Sequence, residues 1–364
     1  MKKNIHHNNN IEELIDGNQP LPKKTAEEVA KLLTDGDLTG YDKKFISNVV
    51  LELAHTAKVF DPIRTRPKVS IFGSARTKPD HPDYILCKEF SKQMADLDYM
   101  VITGAGPGIM AAGNEGAGKD HAIGLNIDLP FEQSANEFIQ DSPYLITYRY
   151  FFNRKLTFVR EADAIILFPG GVGTMDEGFE ALTLIQTGRA MPQPIVLMDH
   201  EGSNYWEKWI EFVKEGLLAN GTISPEDMYL FRHFHDVADA ADYINNFYRR
   251  YHSLRYYKDK VIIRLNSPIP KALLDDIREE YKDFLGEYGL QESEALDVEK
   301  NEPDIAHLPR LIMQAQRDKP VDLYRLIRSL NRENIESSTR RQDRDELTPP
   351  PPRPKRNKVG ENRK

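Results

Sequence analysis

Between Lys68 and Tyr251 the chain alternates short, β-rich apolar runs with helical patterns, and no other feature constrains its fold as strongly. The runs are KVSIF (68–72), YMVIT (99–103), AIGLNI (122–127), LITYRY (145–150), AIILF (164–168) and PIVLM (194–198). Strands separated by helix-length segments pair in parallel, and the connecting helices cover the sheet. Runs as continuously apolar as AIILF suit a sheet with no solvent-facing side. The expected fold is α/β: a Rossmann-like, doubly wound, mostly parallel sheet with helices on both faces.

Flanking segments differ in composition. Residues 1–66 read as an N-terminal helical extension, with helical patterns from Thr25 to Leu33 and from Tyr41 to Phe60. Residues 67–252 read as the Rossmann-like domain and 253–331 as a small α+β appendage. In the appendage, Val261 to Leu265 and Leu311 to Gln316 read as strands, and Pro270 to Leu285 and Val321 to Asn331 as helices. Residues 332–364 carry too little apolar surface to offset the entropy of ordering, so a disordered, basic and proline-rich tail is expected.

The chain of 364 residues has a net charge of −8, which gives no general attraction to nucleic acid or to an anionic membrane. Its one cysteine, Cys87, excludes an intrachain disulfide and any cysteine-clustered metal site, and a reducing cytoplasm is the expected compartment. Cys87 shares a helical spacing with Tyr84, Leu86, Phe90 and Met94 and reads as core. No apolar run approaches a bilayer span, so no membrane partner is expected. His6 and His7 sit beside an asparagine run and read as a solvated terminus rather than as metal ligands.

Ligands of open α/β sheets bind at the carboxyl ends of the strands, where the strand order switches. Three glycine-containing turns fall there. Gly73 and Ser74 follow the first run, and Gly104, Gly106, Gly108 and Met110 follow the second. The fifth is followed by Pro169, Gly170, Gly171, Gly173 and Thr174. The last turn leads into an amphipathic helix whose free amides and dipole attract an anion, and Thr174 is expected to cap that helix and touch the same anion. A nucleotide or sugar-phosphate pocket is the expected result. Glu177 lies about one turn into the helix, within reach of a ribose or water beside the phosphate. Arg154 and Lys155 begin the helix after the fourth run. Arg154 has the planar fork suited to a phosphate, a ribose or a carboxylate, whereas Lys155 is placed to pair at the surface.

The segments GSAR, GAGPGIM, FNRK and PGGVGTMDE, in this order and spacing, resemble the Lonely Guy family, whose signature is PGGxGTxxE. The resemblance covers about Lys68 to Trp209. It implies a phosphoribohydrolase that cleaves the N-glycosidic bond of AMP or a cytokinin riboside monophosphate, giving free base and ribose 5-phosphate. It places the catalytic glutamate on Glu177 and the arginine–lysine pair on Arg154 and Lys155. It implies no cofactor and no metal, and a homodimer or a larger assembly of dimers. The GSAR form and long extensions resemble the larger members of the family. The competing reading is a non-catalytic carrier of nucleotide or molybdenum cofactor on the same fold.

Overall fold

In the computed structural model, residues 23–128 and 134–332 are described, with side chains from residue 27 onward. The expected tail, apart from Arg332, and the His6/His7 pair lie outside them. An N-terminal arm contains α1 (Lys23–Thr34) and α2 (Gly40–Phe60), the latter capped by Thr39, whose side chain accepts from the Asp42 amide. The sheet domain follows as β1 (Lys68–Phe72), α3 (Pro82–Asp96), β2 (Met100–Thr103), α4 (Ile109–Ala117), β3 (Ala122–Ile127) and β4 (Leu145–Tyr148). It continues as α5 (Phe151–Glu161), β5 (Ala164–Leu167), α6 (Val172–Gln186), β6 (Ile195–Met198), α7 (Tyr205–Phe212), β7 (Phe231–Phe234) and α8 (Val237–Phe247).

The seven strands are ordered β4-β3-β2-β1-β5-β6-β7, and every pairing is parallel. The six runs legible in the sequence are the first six strands. The seventh, Phe231–Phe234, was not expected: FRHF has two polar residues among four, as befits an edge with incomplete cover. The fourth strand also ends at Tyr148, two residues before its apolar run does.

Alternation along the strands distributes side chains between two cores. Val69, Ile71, Val101, Ile166, Val196 and Met198 meet α3, α4 and α8, with Cys87, Phe90 and Met94 among them. Ile102, Ile165, Leu167 and Leu197 join the opposite core with Phe158, Ile185 and Trp206. Cys87 is fully buried, and burial pushes its thiol well above the ordinary range, which keeps it inert.

The second sheet is antiparallel, ordered β10-β11-β9-β8, and comprises β8 (Tyr251–Tyr257), β9 (Lys260–Leu265), β10 (Gln291–Ser293) and β11 (Arg310–Gln314). Its helices are α9 (Lys271–Glu280), α10 (Lys282–Leu285) and α11 (Pro320–Leu330). Two strands here, β8 and β10, escape a reading by apolar pattern. The expected single helix from Pro270 to Leu285 is broken at Tyr281, which sits at φ −106, ψ 17 and directs its hydroxyl to Ser329 at 3.0 Å. One face of this sheet shares the larger core with the parallel sheet through Phe247, Tyr251 and Tyr324. Its charged residues form a buried lattice, in which Glu299 receives Arg264 at 2.7 Å and Arg310 at 3.2 Å.

The arm is tied to the sheet's β4 edge. Glu52 accepts from the Arg149 amide at 2.7 Å and from Asn153 Nδ2 at 2.9 Å, and the Thr56 and Tyr148 hydroxyls are 2.7 Å apart. Helix α5, which carries Arg154 and Lys155, therefore starts from a clamped N terminus.

Candidate active site

The sheet order reverses between β1 and β5, so the loops after these strands are adjacent. Two backbone hydrogen bonds join the three glycine loops: the Ser74 amide donates to Pro169 O at 3.0 Å, and the Ile109 amide donates to Ser74 O at 3.0 Å. Ser74 Oγ is itself committed, accepting from the Arg76 amide at 3.1 Å.

The glycines divide into two groups. A Cβ at Gly73 would lie 2.6 Å from Ile109 Cγ2, one at Gly104 2.7 Å from Met110 Sδ, and one at Gly106 2.6 Å from Met110 Cε. One at Gly170 would lie 2.1 Å from Thr174 Oγ1. At Gly108, with φ +67, the clash is with backbone, 2.3 Å from Ser74 O. The protein's own packing accounts for all five, and Met110 serves by filling the space under its loop. Gly171 and Gly173 differ, because a Cβ there would meet nothing within 4 Å. Both are exposed, at the N terminus of α6, where the first helical amides have no intrahelical acceptor.

Thr174 does not cap that helix. The N-cap is Gly171, and Thr174 is buried with its amide donating to Gly171 O at 3.1 Å. Its hydroxyl packs against Gly170, so the amides left for an anion are those before it.

About one and a half turns of α6 carry three carboxylates, Asp176, Glu177 and Glu180. Glu177 is 7% exposed, and its Oε2 is buried without a hydrogen-bond partner. Burial raises its pKa from 4.5 to about 7, against the opposing charges of Lys155 and Arg154. Asp176, the neighbouring residue on the helix, is largely exposed. Lys155 bridges Asp176 at 2.8 Å and Glu180 at 2.6 Å, pinning α5 to α6. Burial opposes its charge, but these two hydrogen bonds hold its ammonium above the ordinary range. The Arg154 guanidinium lies 5.2 Å from the Phe151 ring and 5.7 Å from the Phe158 ring. Its Nη1 is 3.9 Å from the position of a Cβ on Gly104, which places it beside the second glycine loop.

An unpaired, buried carboxyl has a consequence for stability. Below about pH 4.5 it is protonated whether the chain is folded or not; between 4.5 and about 7 only the folded state holds the proton, so stability falls as pH rises. Above about pH 7 the full penalty, on the order of 3 kcal/mol, is present. Glu177→Gln should therefore unfold like the wild type at pH 4 and be more stable at pH 8 by about this amount. Denaturant titrations across that range would reveal it, and equal stabilities at pH 8 would contradict it.

Several supporting residues carry no motif in the sequence. Asn136 Nδ2 donates to Ala105 O, Gly106 O and Asn114 Oδ1, each at 3.0 Å, and Thr103 Oγ1 donates to Asn114 Oδ1 at 2.9 Å. This network holds Ala105 at φ 62 and thereby shapes the second loop. Tyr205 Oη donates to Gly170 O at 2.6 Å. Beside it a cavity of about 600 Å3 is lined by Met175, His200, Ser203, Tyr205, Lys208 and Trp209. Glu177 does not line it, since Met175 and Glu177 lie on opposite sides of α6.

Residues 108–244 match the family model described as possible lysine decarboxylase. The PGGVGTMDE segment is seated as the start of α6, with the other glycine loops joined to it. This segment resembles the Lonely Guy family. A pyrimidine/purine nucleotide 5′-monophosphate nucleosidase of Escherichia coli (strain K12) is 26% identical over 209 residues, 54% of this chain and 43% of that protein. A cytokinin riboside 5′-monophosphate phosphoribohydrolase of Mycobacterium tuberculosis is 36% identical over 101 residues, 28% of this chain and 51% of that protein. The chain thus spans about half the length of the curated relatives it matches. Among solved structures, the molybdenum cofactor carrier protein of Chlamydomonas reinhardtii matches with a TM-score of 0.34 and 20% identity, over 48% of this chain and 94% of the carrier. No helix among the described residues is long and apolar enough to cross a membrane.

Proposed function

We propose that the chain is a nucleoside 5′-monophosphate phosphoribohydrolase acting on AMP or a related purine nucleotide. The observation that carries this reading is Glu177: a buried carboxyl with a partnerless oxygen, on the helix whose N terminus is open at Gly171 and Gly173. The 5′-phosphate would rest on the first amides of α6, fixing the ribose so that its anomeric carbon meets Glu177. Cleavage of the N-glycosidic bond develops positive charge on the ribose, which the carboxylate would stabilise while orienting the attacking water. Arg154 would hold a ribose oxygen or the carboxylate itself. The names of the matched relatives support this class of reaction.

Decarboxylation, which the family description suggests, needs a lysine that becomes neutral and nucleophilic. Lys155, beside Glu177, is instead held protonated between Asp176 and Glu180. A second copy of the chain is the expected partner. Phe151, Phe152, Leu156 and Val172 are exposed around the site, Val172 by 87%. The test is chromatography of products after incubation with AMP, GMP, CMP, UMP and isopentenyladenosine monophosphate. Free base with ribose 5-phosphate is expected, with the purine nucleotides fastest. Nucleotide binding with no base released from any of the five would instead support a carrier.

A further inference from the structure

The domain carries a second cluster of chemically competent side chains, unrelated to Glu177. Asp199 follows β6 directly, and His233 and His235 form an His-x-His pair at the end of β7. Leu197 pairs with His233 and Met198 with Phe234, so the register carries Asp199 to a position opposite His235. Residues two apart on a strand share a face, and both imidazoles therefore meet one carboxylate. His233 Nε2 lies 2.7 Å and His235 Nδ1 3.1 Å from Asp199 Oδ1. His235 Nδ1 is also 3.0 Å from Asp199 O.

We propose that Asp199, His233 and His235 bind a first-row divalent transition metal, with zinc the best match. Two imidazoles and a carboxylate suit zinc and its neighbours better than magnesium or calcium, which favour all-oxygen shells. The one ligand atom from each residue lies within 4.8 Å of the others. Tetrahedral zinc sets its ligands about 3.4 Å apart, so binding needs side-chain shifts of under about 1 Å. Asp199 O supplies a candidate fourth donor. Three side-chain donors with the fourth position left to Asp199 O or a water would fasten the edge strand β7 to β6.

The surroundings fit that role. The Asp199 side chain has no exposure, and the Trp206 amide, at 3.4 Å from Oδ2, and Ser203 hold its carboxylate in place. Such outer partners orient a ligating carboxylate. The His235 side chain is 37% exposed, leaving an entry path. A neighbouring group, His81, Asp83 and His200, is a poorer candidate. His81 Nδ1 already accepts from the Asp83 amide at 3.1 Å as the cap of α3, and it lies 3.6 Å from the carboxylate.

The full chain, with His6→Gln and His7→Gln to remove the terminal imidazoles, would be stripped with a chelator and titrated with Zn2+ by calorimetry and with Co2+ by visible absorbance. One ion per chain, ligand-field bands from Co2+ and a higher Tm with Zn2+ are expected. Asp199→Asn and His235→Gln should each weaken binding more than about tenfold, and His200→Gln should not. The partly exposed His235 provides a readout even if the buried Asp199→Asn fails to fold. Absence of stoichiometric uptake, uptake unchanged in His235→Gln, or uptake lost in His200→Gln would each overturn the proposal.

Discussion

Glu177→Ala is expected to fold normally, to keep most of its affinity for AMP, and to release base roughly 100- to 10,000-fold more slowly. The separation of binding from turnover follows from the layout of α6. The amides that would hold the phosphate precede Thr174, whereas the carboxylate lies farther along the helix. Removing the carboxylate leaves the anion site intact and takes away only the charge that opposes an oxocarbenium-like transition state. Loss of the buried, partnerless Oε2 carries no cost in hydrogen bonds, which is why folding should survive. Since it is the ionised form that stabilises positive charge, wild-type kcat/KM should rise with pH through about 7, the range to which burial has moved this group. Full turnover in Glu177→Ala, or activity that falls across that range, would remove Glu177 from the mechanism.

Two alanine substitutions in neighbouring glycine loops should have opposite outcomes. Gly108→Ala places a Cβ 2.3 Å from Ser74 O at a φ of +67, where neither the backbone nor the new methyl group can yield cheaply. A loss of stability on the order of 3 kcal/mol or more is expected, visible as a large fall in Tm. Gly171→Ala meets no protein atom within 4 Å and sits at φ −90, which any residue adopts, so stability should change by less than about 0.5 kcal/mol. Its methyl group occupies the space proposed for the phosphate, and AMP affinity should fall at least tenfold, measured by calorimetry. Wild-type affinity in Gly171→Ala would place the phosphate elsewhere.

Much of this architecture is legible in the sequence, for identifiable reasons. Strands buried on both faces announce themselves as apolar runs, and β1, β2, β5 and β6 are buried at every residue. Strands with one polar side are harder to see: β7 reads FRHF, and β8 reads YHSLRYY because Arg255 turns toward Glu302. The helix break at Tyr281, whose hydroxyl meets Ser329 across the fold, leaves no local signal. At the site, PGGVGT and Glu177 are visible as a loop and a helix start. Which glycines admit a ligand is not visible, because it depends on the positions of Ile109, Met110 and Thr174 in space. The hidden supports, Asn136, Asn114 and Tyr205, are single polar residues far apart in the chain, brought together only by the fold.

The central claim is that this domain breaks the bond between base and ribose with water. It is tested most directly by incubating the purified chain with AMP in 18O-labelled water and analysing the products by mass spectrometry. Adenine together with ribose 5-phosphate carrying the label at C1 is the predicted result. Adenosine with labelled phosphate, or intact AMP after prolonged incubation, would contradict it.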